Sequence, residues 1–187
     1  MKKLVLFLAT VIFLIGCVYL ASPTPPTPDL DNSVRSDEPG DTWQHPEQKG
    51  FYTDKARAEV MSEMRSKFSI KILGITIPSL VLNYRPEESQ ELVRDQLPSY
   101  YLEEIVYPFR DSLFVNGWEP KNSPRFRNYL PKDIPVVTYK DVNYLSKVTL
   151  RPVTSPVWVR IVIWALIFPA IYLIYISLKR SVKHGKN

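Results

Sequence analysis

Two long apolar runs, one near each end of the chain, dominate its hydropathy pattern. The first covers residues 4–21, and the second covers residues 161–178; each is 18 residues long without a charge. The second run is preceded by the apolar stretch 157–159 and by Arg160. At a rise of about 1.5 Å per residue, a helix of this length can cross a hydrocarbon core roughly 30 Å thick. We therefore predict membrane-spanning helices over residues 1–21 and 157–178.

The charges beside these runs predict an orientation. Lys2 and Lys3 precede the first run, and the basic tail 179–187 follows the second, with no acidic residue in either segment. Basic flanks are retained on the cytoplasmic side of a membrane. We expect an integral membrane protein with residues 22–156 outside the cytoplasm, and with both termini inside if the first helix is uncleaved. All 19 acidic residues lie in 22–156, so the high isoelectric point belongs to the chain ends and does not indicate nucleic-acid binding.

The end of the first run leaves two forms of anchor open. The tetrapeptide Leu14-Ile15-Gly16-Cys17 resembles the lipobox that precedes lipid attachment in bacterial lipoproteins, and the basic start suits a signal peptide. Residues 18–20 extend the apolar run past the cysteine, which favours an intact helix. Residues 1–21 are thus either an uncleaved transmembrane helix or a lipoprotein-type signal anchor with a lipid on Cys17. Both alternatives tether the chain at its two ends.

The segment that follows the first run has the composition of a stalk. Four prolines occur between residues 23 and 28, and residues 29–49 contain six acidic and two basic residues. Spaced prolines favour extended polyproline II, and a segment with few apolar residues cannot build a core. We predict a disordered or extended acidic stalk over residues 22–50.

Residues 51–153 have the pattern of one small folded domain. Apolar residues at helical spacing predict a first helix, and β-branched residues around Gly74 and Lys140-Asp141 predict strands. Prolines and acidic residues predict two further helices between these strand regions. The order is helix, strands, helices and hairpin, which predicts an α+β extracytoplasmic domain with a small antiparallel or mixed sheet. The predicted elements are helix 53–67, strands 68–77 and 79–84, helices 86–97 and 99–115, loop 118–135 and hairpin 136–153.

Candidate chemistry is sparse. One cysteine excludes an internal disulfide framework, and the two histidines, His45 and His184, lie in the predicted stalk and tail. We expect no metal site and no cofactor. Three carboxylates, Glu103, Glu104 and Asp111, could serve hydrolysis, but the pattern favours a solvated helix face over a catalytic role.

The loop 118–135 is the better candidate for a binding site. It places Trp118, Phe126 and Tyr129 beside Arg125 and Arg127, and these residue types are enriched at interfaces. Two other interpretations stay open: Trp118 and Phe126 fill the core, or the basic half of the domain pairs with the acidic stalk.

These observations lead to two functional hypotheses. The first is a doubly membrane-anchored, non-enzymatic cell-envelope protein that contacts the lipid bilayer and binds a protein partner, or acts as a subunit of a membrane assembly. The alternative is a membrane-bound hydrolase that uses carboxylates of the outer domain. A deep pocket with two buried carboxylates would favour the enzyme.

Overall fold

The chain folds into two separate compact units. The computed structural model describes residues 2–42, 46–84, 101–123 and 126–184. One unit joins the two chain ends, Met1–Pro23 and Ser155–Asn187, and the other unit is Thr24–Thr154.

The first unit consists of two long apolar helices, as the sequence predicts. Helix α1 covers Lys2–Ala21, and helix α4 covers Val157–His184 with Pro169 in its interior. Both are long and apolar enough to cross a membrane, and only 6% and 0% of their apolar windows are buried within the protein. A core helix of a soluble protein would bury much of this surface.

The second unit is an α+β domain built on an antiparallel sheet, which confirms the predicted class. Six strands pair in the order β1-β2-β10-β7-β6-β5, and every neighbouring pair is antiparallel. Two short hairpins, β3–β4 and β8–β9, form separate two-stranded sheets. The strands are β1 Ser33–Arg35, β2 Lys49–Thr53, β3 Lys71–Ile72, β4 Ile75–Thr76, β5 Leu80–Tyr84, β6 Tyr101–Val106, β7 Ser112–Trp118, β8 Val137–Tyr139, β9 Val142–Tyr144 and β10 Ser146–Val153.

The core lies between one face of the six-stranded sheet and helix α3, Arg57–Lys67. Helix α3 begins after Ala56, whose backbone N–H donates to the Glu59 carboxylate at 2.9 Å, and its apolar stripe is buried as the spacing predicts. Alternate strand residues point to the same face, so the sheet contributes every second side chain to this core. Its buried members include Phe51, Val60, Met64, Tyr101, Ile105, Leu113, Val115, Val148 and Leu150.

The predicted helix 99–115 is wrong, because this region forms β6, a turn and β7. Pro108 precedes Phe109 in the turn, where Phe109 has a φ of 59° and Arg110 N–H donates to Tyr107 O at 2.9 Å. The apolar residues of this region satisfy a helical spacing, but they also alternate across two strands, and pairing with β5 and β10 favours the strands. The predicted helix 86–97 lies outside the described residues.

The structure also corrects the predicted stalk over residues 22–50. This segment supplies β1 and a short helix α2, Pro39–Thr42, and it buries Leu30 in the core, so the compact unit begins at Thr24 rather than near Phe51. The interpretation in which the acidic segment pairs with the basic half of the domain is confirmed. Asp37 lies 2.8 Å from Lys140 Nζ, and Glu38 lies 2.6 Å from Lys147 Nζ.

Glu63 ties the same segment to helix α3. Its carboxylate accepts the Asp31 backbone N–H at 2.7 Å and pairs with Lys55 and with Lys67, the latter at 2.8 Å. Burial alone would raise the pKa of Glu63, but these hydrogen bonds and charges outweigh burial and lower the pKa to about 2.

We expect Glu63→Gln to lower the free energy of unfolding by about 1–2 kcal/mol at neutral pH, allowing for the partial exposure of the lysines. A depressed carboxyl pKa stabilises the fold above its ordinary value of 4.5, and that stabilisation is lost as the pH falls from 4.5 to about 2. The stability difference between the parent protein and the variant should therefore shrink across this window in denaturant titrations. Glu47→Gln, at an exposed position, is the control; an equal effect of both changes would contradict the assignment.

Candidate functional site

Trp118, the first predicted binding residue, ends strand β7 on the sheet face opposite α3. It lies across from Lys147 of β10 and is half-buried. Its indole packs against a second apolar cluster, which consists of Tyr52, Val137 and Tyr139 with Tyr144 at its edge. The interpretation of Trp118 as a core residue therefore describes its position better than full exposure does.

The Phe126 ring packs against Trp118, whereas the residues after Phe126 reach solvent. The Phe126 ring is buried and lies 5.8 Å from the Trp118 ring in an edge-on arrangement, and 5.3 Å from the Tyr129 ring. Tyr129 is 52% exposed, and Arg127 is exposed. Arg125 lies outside the described residues. The structure thus brings the rings of Trp118, Phe126 and Tyr129 together, and Arg127, which follows Phe126 in the chain, is exposed.

Further exposed side chains, which the sequence did not single out, lie in the same loop region. We call the exposed set the aromatic-basic surface; it comprises Arg127, Tyr129, Leu130, Lys132 and Val136. None of the ion pairs between described residues involves Arg127 or Lys132. Exposed aromatic and aliphatic groups beside a guanidinium are typical of protein-binding surfaces.

The cluster beneath this surface is held by stacked rings and a shielded cation. The rings of Tyr52 and Tyr139 stack at 4.3 Å, and Lys147 Nζ lies 5.3 Å from the centre of the Tyr52 ring. Lys147 Nζ also lies 2.6 Å from Glu38 and 3.0 Å from Asp41. Burial, followed by hydrogen bonding with Glu38, raises the pKa of Tyr52 to about 12. Tyr129 of the aromatic-basic surface is connected to this cluster through the rings of Phe126 and Trp118.

Two buried carboxylates, Glu103 and Glu119, flank the start of helix α3. Glu103 lies on β6 and pairs with the guanidinium of Arg57, whose Nε donates to Oε1 at 2.5 Å. Glu119 follows β7 and accepts the Arg57 backbone N–H at 3.3 Å and the side-chain amide of Asn122. Anions are stabilised at a helix N-terminus. Because both groups are engaged by the start of α3, they serve to fix this helix on the sheet.

Glu104 and Asp111 do not share a helix face, so that prediction is wrong. Glu104 lies on β6 and accepts hydrogen bonds from the Tyr84 hydroxyl, at 2.5 Å, and from the Ser112 hydroxyl. The hydrogen bond to Glu104 is the main reason why the pKa of Tyr84 is raised to about 12. Asp111 lies in the turn before β7 and accepts the Thr24 hydroxyl at 2.5 Å. Each carboxylate thus accepts a hydrogen bond from at least one hydroxyl group.

An open cleft of 390 Å³ lies at the end of the sheet near Asp111. Its walls come mostly from the proline-rich segment 24–27 and from Phe68, Pro152 and Thr154. Its charged lining residues are Glu47, Lys49 and Asp111. The Asp111 carboxylate accepts the Thr24 hydroxyl, and Lys49 Nζ donates to Asp29 at 2.7 Å. Within the parts of the chain that the structure describes, no three His, Cys, Asp or Glu side chains are grouped to hold a metal ion.

The two apolar helices make specific contacts that the sequence did not indicate. Trp164 Nε1–H of α4 donates to the backbone oxygen of Phe13 of α1 at 3.1 Å. A Cβ on Gly16 would lie within 3.0 Å of the Trp164 ring, so the indole fits against α1 only because this position is glycine. Phe168 adds edge-on contacts to Phe13 at 5.6 Å and to Trp164 at 5.3 Å. Cys17 follows Gly16 on α1 and is partly exposed; its lipidation stays a prediction.

The part of the chain with the strongest signs of binding is therefore the aromatic-basic surface, and the carboxylates of β6 and its neighbours have structural partners. Comparisons of the chain with protein-family models, with curated proteins and with solved structures find no match.

Proposed function

We propose that the protein is a doubly membrane-anchored, non-enzymatic component of the cell envelope. In this proposal α1 and α4 cross the membrane side by side, and the domain Thr24–Thr154 lies outside the cytoplasm. The domain binds a protein partner through the aromatic-basic surface, as a subunit of a membrane assembly.

The pairing of α1 with α4 is the observation that carries the proposal. Apolar side chains do not drive helix association in lipid, so paired helices in membranes use small residues and hydrogen bonds. Gly16 and the bond from Trp164 to Phe13 O supply both elements. An indole N–H in hydrocarbon needs an acceptor, and α1 provides it.

The same contacts support the intact N-terminal helix over the lipidated form. Cleavage before Cys17 would remove Phe13 and Gly16, and Trp164 would lose its acceptor. The lipobox resemblance of residues 14–17 then has a second explanation, because Gly16 is the residue that admits the Trp164 ring.

The composition of the aromatic-basic surface supports a protein as the partner. Tyr129, Leu130 and Val136 are each more than half exposed, and Arg127 and Lys132 of the same segment are exposed as well. An aromatic anchor with a neighbouring guanidinium is the usual make-up of a binding hot spot. On β10, Lys147 lies opposite Trp118, and Val153 is six residues further along the strand. The aromatic-basic surface therefore lies about 20 Å from the end of the sheet that leads to α4.

Photo-crosslinking in the host's own membranes tests the proposed function. A benzophenone side chain in place of Tyr129 should give a discrete product heavier than the 21.7 kDa chain, and Arg127→Glu should weaken that product severalfold. The same probe in place of Arg65, which is exposed on α3, is the matched control. Equal products from both positions, or none from position 129, would contradict the proposed partner surface.

The described carboxylates give the hydrolase hypothesis no specific support. Glu103 and Glu119 are buried but engaged by Arg57, and Glu104 and Asp111 accept hydrogen bonds from hydroxyl groups. A free carboxylate pair around a substrate-sized space would be needed for that chemistry.

A further inference from the structure

Two turns of the domain carry large apolar side chains that are exposed. Leu73, at the tip of the β3–β4 hairpin, is 95% exposed, and Ile75 beside it is 68% exposed. Phe109, in the turn between β6 and β7, is 58% exposed, and Leu80 at the start of β5 is exposed as well. We call these four residues the apolar rim.

The residues at the turn tips occupy a backbone region that such side chains rarely adopt. Leu73 has a φ of 50°, and Phe109 has a φ of 59°. Glycine or asparagine would be the unstrained choice at a left-handed position. Because neither side chain is buried to offset this strain, the outliers point to a function for bulky apolar groups at these tips.

The apolar rim lies at the end of the sheet where the chain leaves for both apolar helices. In the strand register, Leu80 lies opposite Val106, Val106 opposite Ser112, and Ser112 opposite Val153. Val153 is the last residue of β10, directly before Thr154, where the domain ends. The first strand residue of β5 and the exit toward α4 therefore share one end of the sheet.

Hydrogen bonds hold the first residue of the domain, which follows α1, and both turns at this same end of the sheet. Thr24, the first residue of the domain, donates to Asp111 at 2.5 Å and accepts from Arg110 at 3.1 Å, both in the turn that carries Phe109. The base of the β3–β4 hairpin is held to that turn as well, because Ile70 N–H donates to the Tyr107 hydroxyl at 3.2 Å.

We propose that the apolar rim is a lipid-contact surface. It inserts into the headgroup region on the non-cytoplasmic face of the membrane that α1 and α4 cross. The inference rests on the proposed anchoring by α1 and α4. Only residues 22–23 and 155–156 separate this end of the domain from the two helices, and three peptide units reach about 10 Å. A bilayer is thus the surface within reach, and the exposed Lys71 of the hairpin suits anionic headgroups.

The function of such a contact is to orient the domain. Two short connections alone would leave the tilt of the domain unfixed, whereas insertion of Leu73, Ile75 and Phe109 adds a third and fourth point of attachment. The aromatic-basic surface, at the other end of the sheet, would then be held facing away from the membrane.

Site-directed fluorescence on the full chain in lipid vesicles tests this inference. With Cys17→Ser as background, an environment-sensitive dye is attached at Leu73→Cys or, as the matched control, at Val142→Cys, which is a similarly apolar and exposed position of β9. The vesicles contain phosphatidylcholine, phosphatidylglycerol and a lipid with a nitroxide on its headgroup. We expect severalfold stronger quenching at position 73 than at position 142.

A second variant separates lipid contact from folding. Leu73→Asn places a residue that tolerates positive φ at the hairpin tip, so the melting temperature should stay the same or rise. Quenching of a dye at Ile75→Cys should nevertheless fall severalfold in this variant. Equal quenching at positions 73 and 142, in a protein that resists extraction with alkaline carbonate, would overturn the lipid-contact surface alone. Extraction of the chain by carbonate would overturn the anchoring on which it rests.

Discussion

Replacing Arg57 by alanine should lower the free energy of unfolding of the domain by about 3 kcal/mol. The side chain of Glu103 is only 8% exposed, and Arg57 supplies its charge partner through Nε and Nη2. Without that partner, a buried carboxylate stays charged and unpaired or takes up a proton, and both outcomes cost stability. The guanidinium also lies 5.4 Å from the Tyr101 ring, so the change removes a contact to the core. We place the effect at the low end for buried pairs because Arg57 itself is 35% exposed.

Denaturant unfolding of the full chain in detergent micelles measures this effect. Arg65→Ala removes the same side chain from an exposed position of the same helix and should change stability by less than about 0.5 kcal/mol. The double change Arg57→Ala with Glu103→Gln should recover part of the loss, because no buried charge is left unpaired. An Arg57→Ala effect as small as that of Arg65→Ala would show that the pair does not hold α3 on the sheet.

Gly117→Ala should destabilise the domain by about 2 kcal/mol, although the change adds only one methyl group. Gly117 of β7 lies directly opposite Tyr101 of β6, and the tyrosine ring covers the glycine. A Cβ at this position would come within 3.0 Å of the ring. Tyr101 is buried, so the ring has no free space into which it can move. Any shift would also disturb Arg57, which lies on this ring.

Gly40→Ala is the matched control for this change. A Cβ on Gly40 would meet no atom within 4 Å, and the residue lies in helix α2. The same methyl group should therefore leave the melting temperature nearly unchanged there, while Gly117→Ala lowers it by several degrees. Similar melting temperatures for the two variants would mean that the ring of Tyr101 does not rest on β7.

The elements that the sequence predicts correctly are those with local patterns. Helix α3 repeats its apolar residues within its own length, and Gly74 and Asp141 mark the β3–β4 and β8–β9 turns. In the region of β6 the inward-facing set is Tyr101, Glu103 and Ile105. Glu103 interrupts the alternation of apolar and polar residues that would indicate a strand, and a charged residue at this position suggests a solvated helix face. Its partner Arg57 is 46 residues away, so the sequence does not show that the charge is paired.

Distant charge partners also explain why the acidic segment before β2 is wrongly predicted to be a stalk. Its composition is that of a disordered chain, but its charges are neutralised by lysines from distant parts of the domain, such as Lys140 and Lys147. Among the residues of this segment that the structure describes, only Leu30 belongs to the main core. Composition indicates how a segment would behave in isolation, and it cannot indicate which partners a fold will bring to it.

The sequence predicts that the residues of the candidate binding loop lie close together, but it does not predict which of them are buried and which are exposed. Aromatic and basic residues close in sequence lie close in the structure, as Trp118, Phe126 and Tyr129 show. Which of them is covered depends on Tyr52 and Tyr139, which come from other strands. The contact between Gly16 and Trp164 joins positions 148 residues apart, so no local pattern could have indicated it.

The most direct test of the account is the side of the membrane on which each part of the chain lies. Cys17, the one cysteine of the chain, is replaced by serine, and single cysteines are placed at Ser62 on α3 and at Ser181 near the end of α4, which are both exposed. Intact cells are treated with a thiol reagent that cannot cross the membrane. Two membrane-spanning helices with a domain between them outside the cytoplasm predict labelling at position 62 in intact cells, and labelling at position 181 only after the cells are permeabilised. Labelling of position 181 but not of position 62 in intact cells would contradict the proposed topology, and labelling of both would show that the two helices do not both span the membrane.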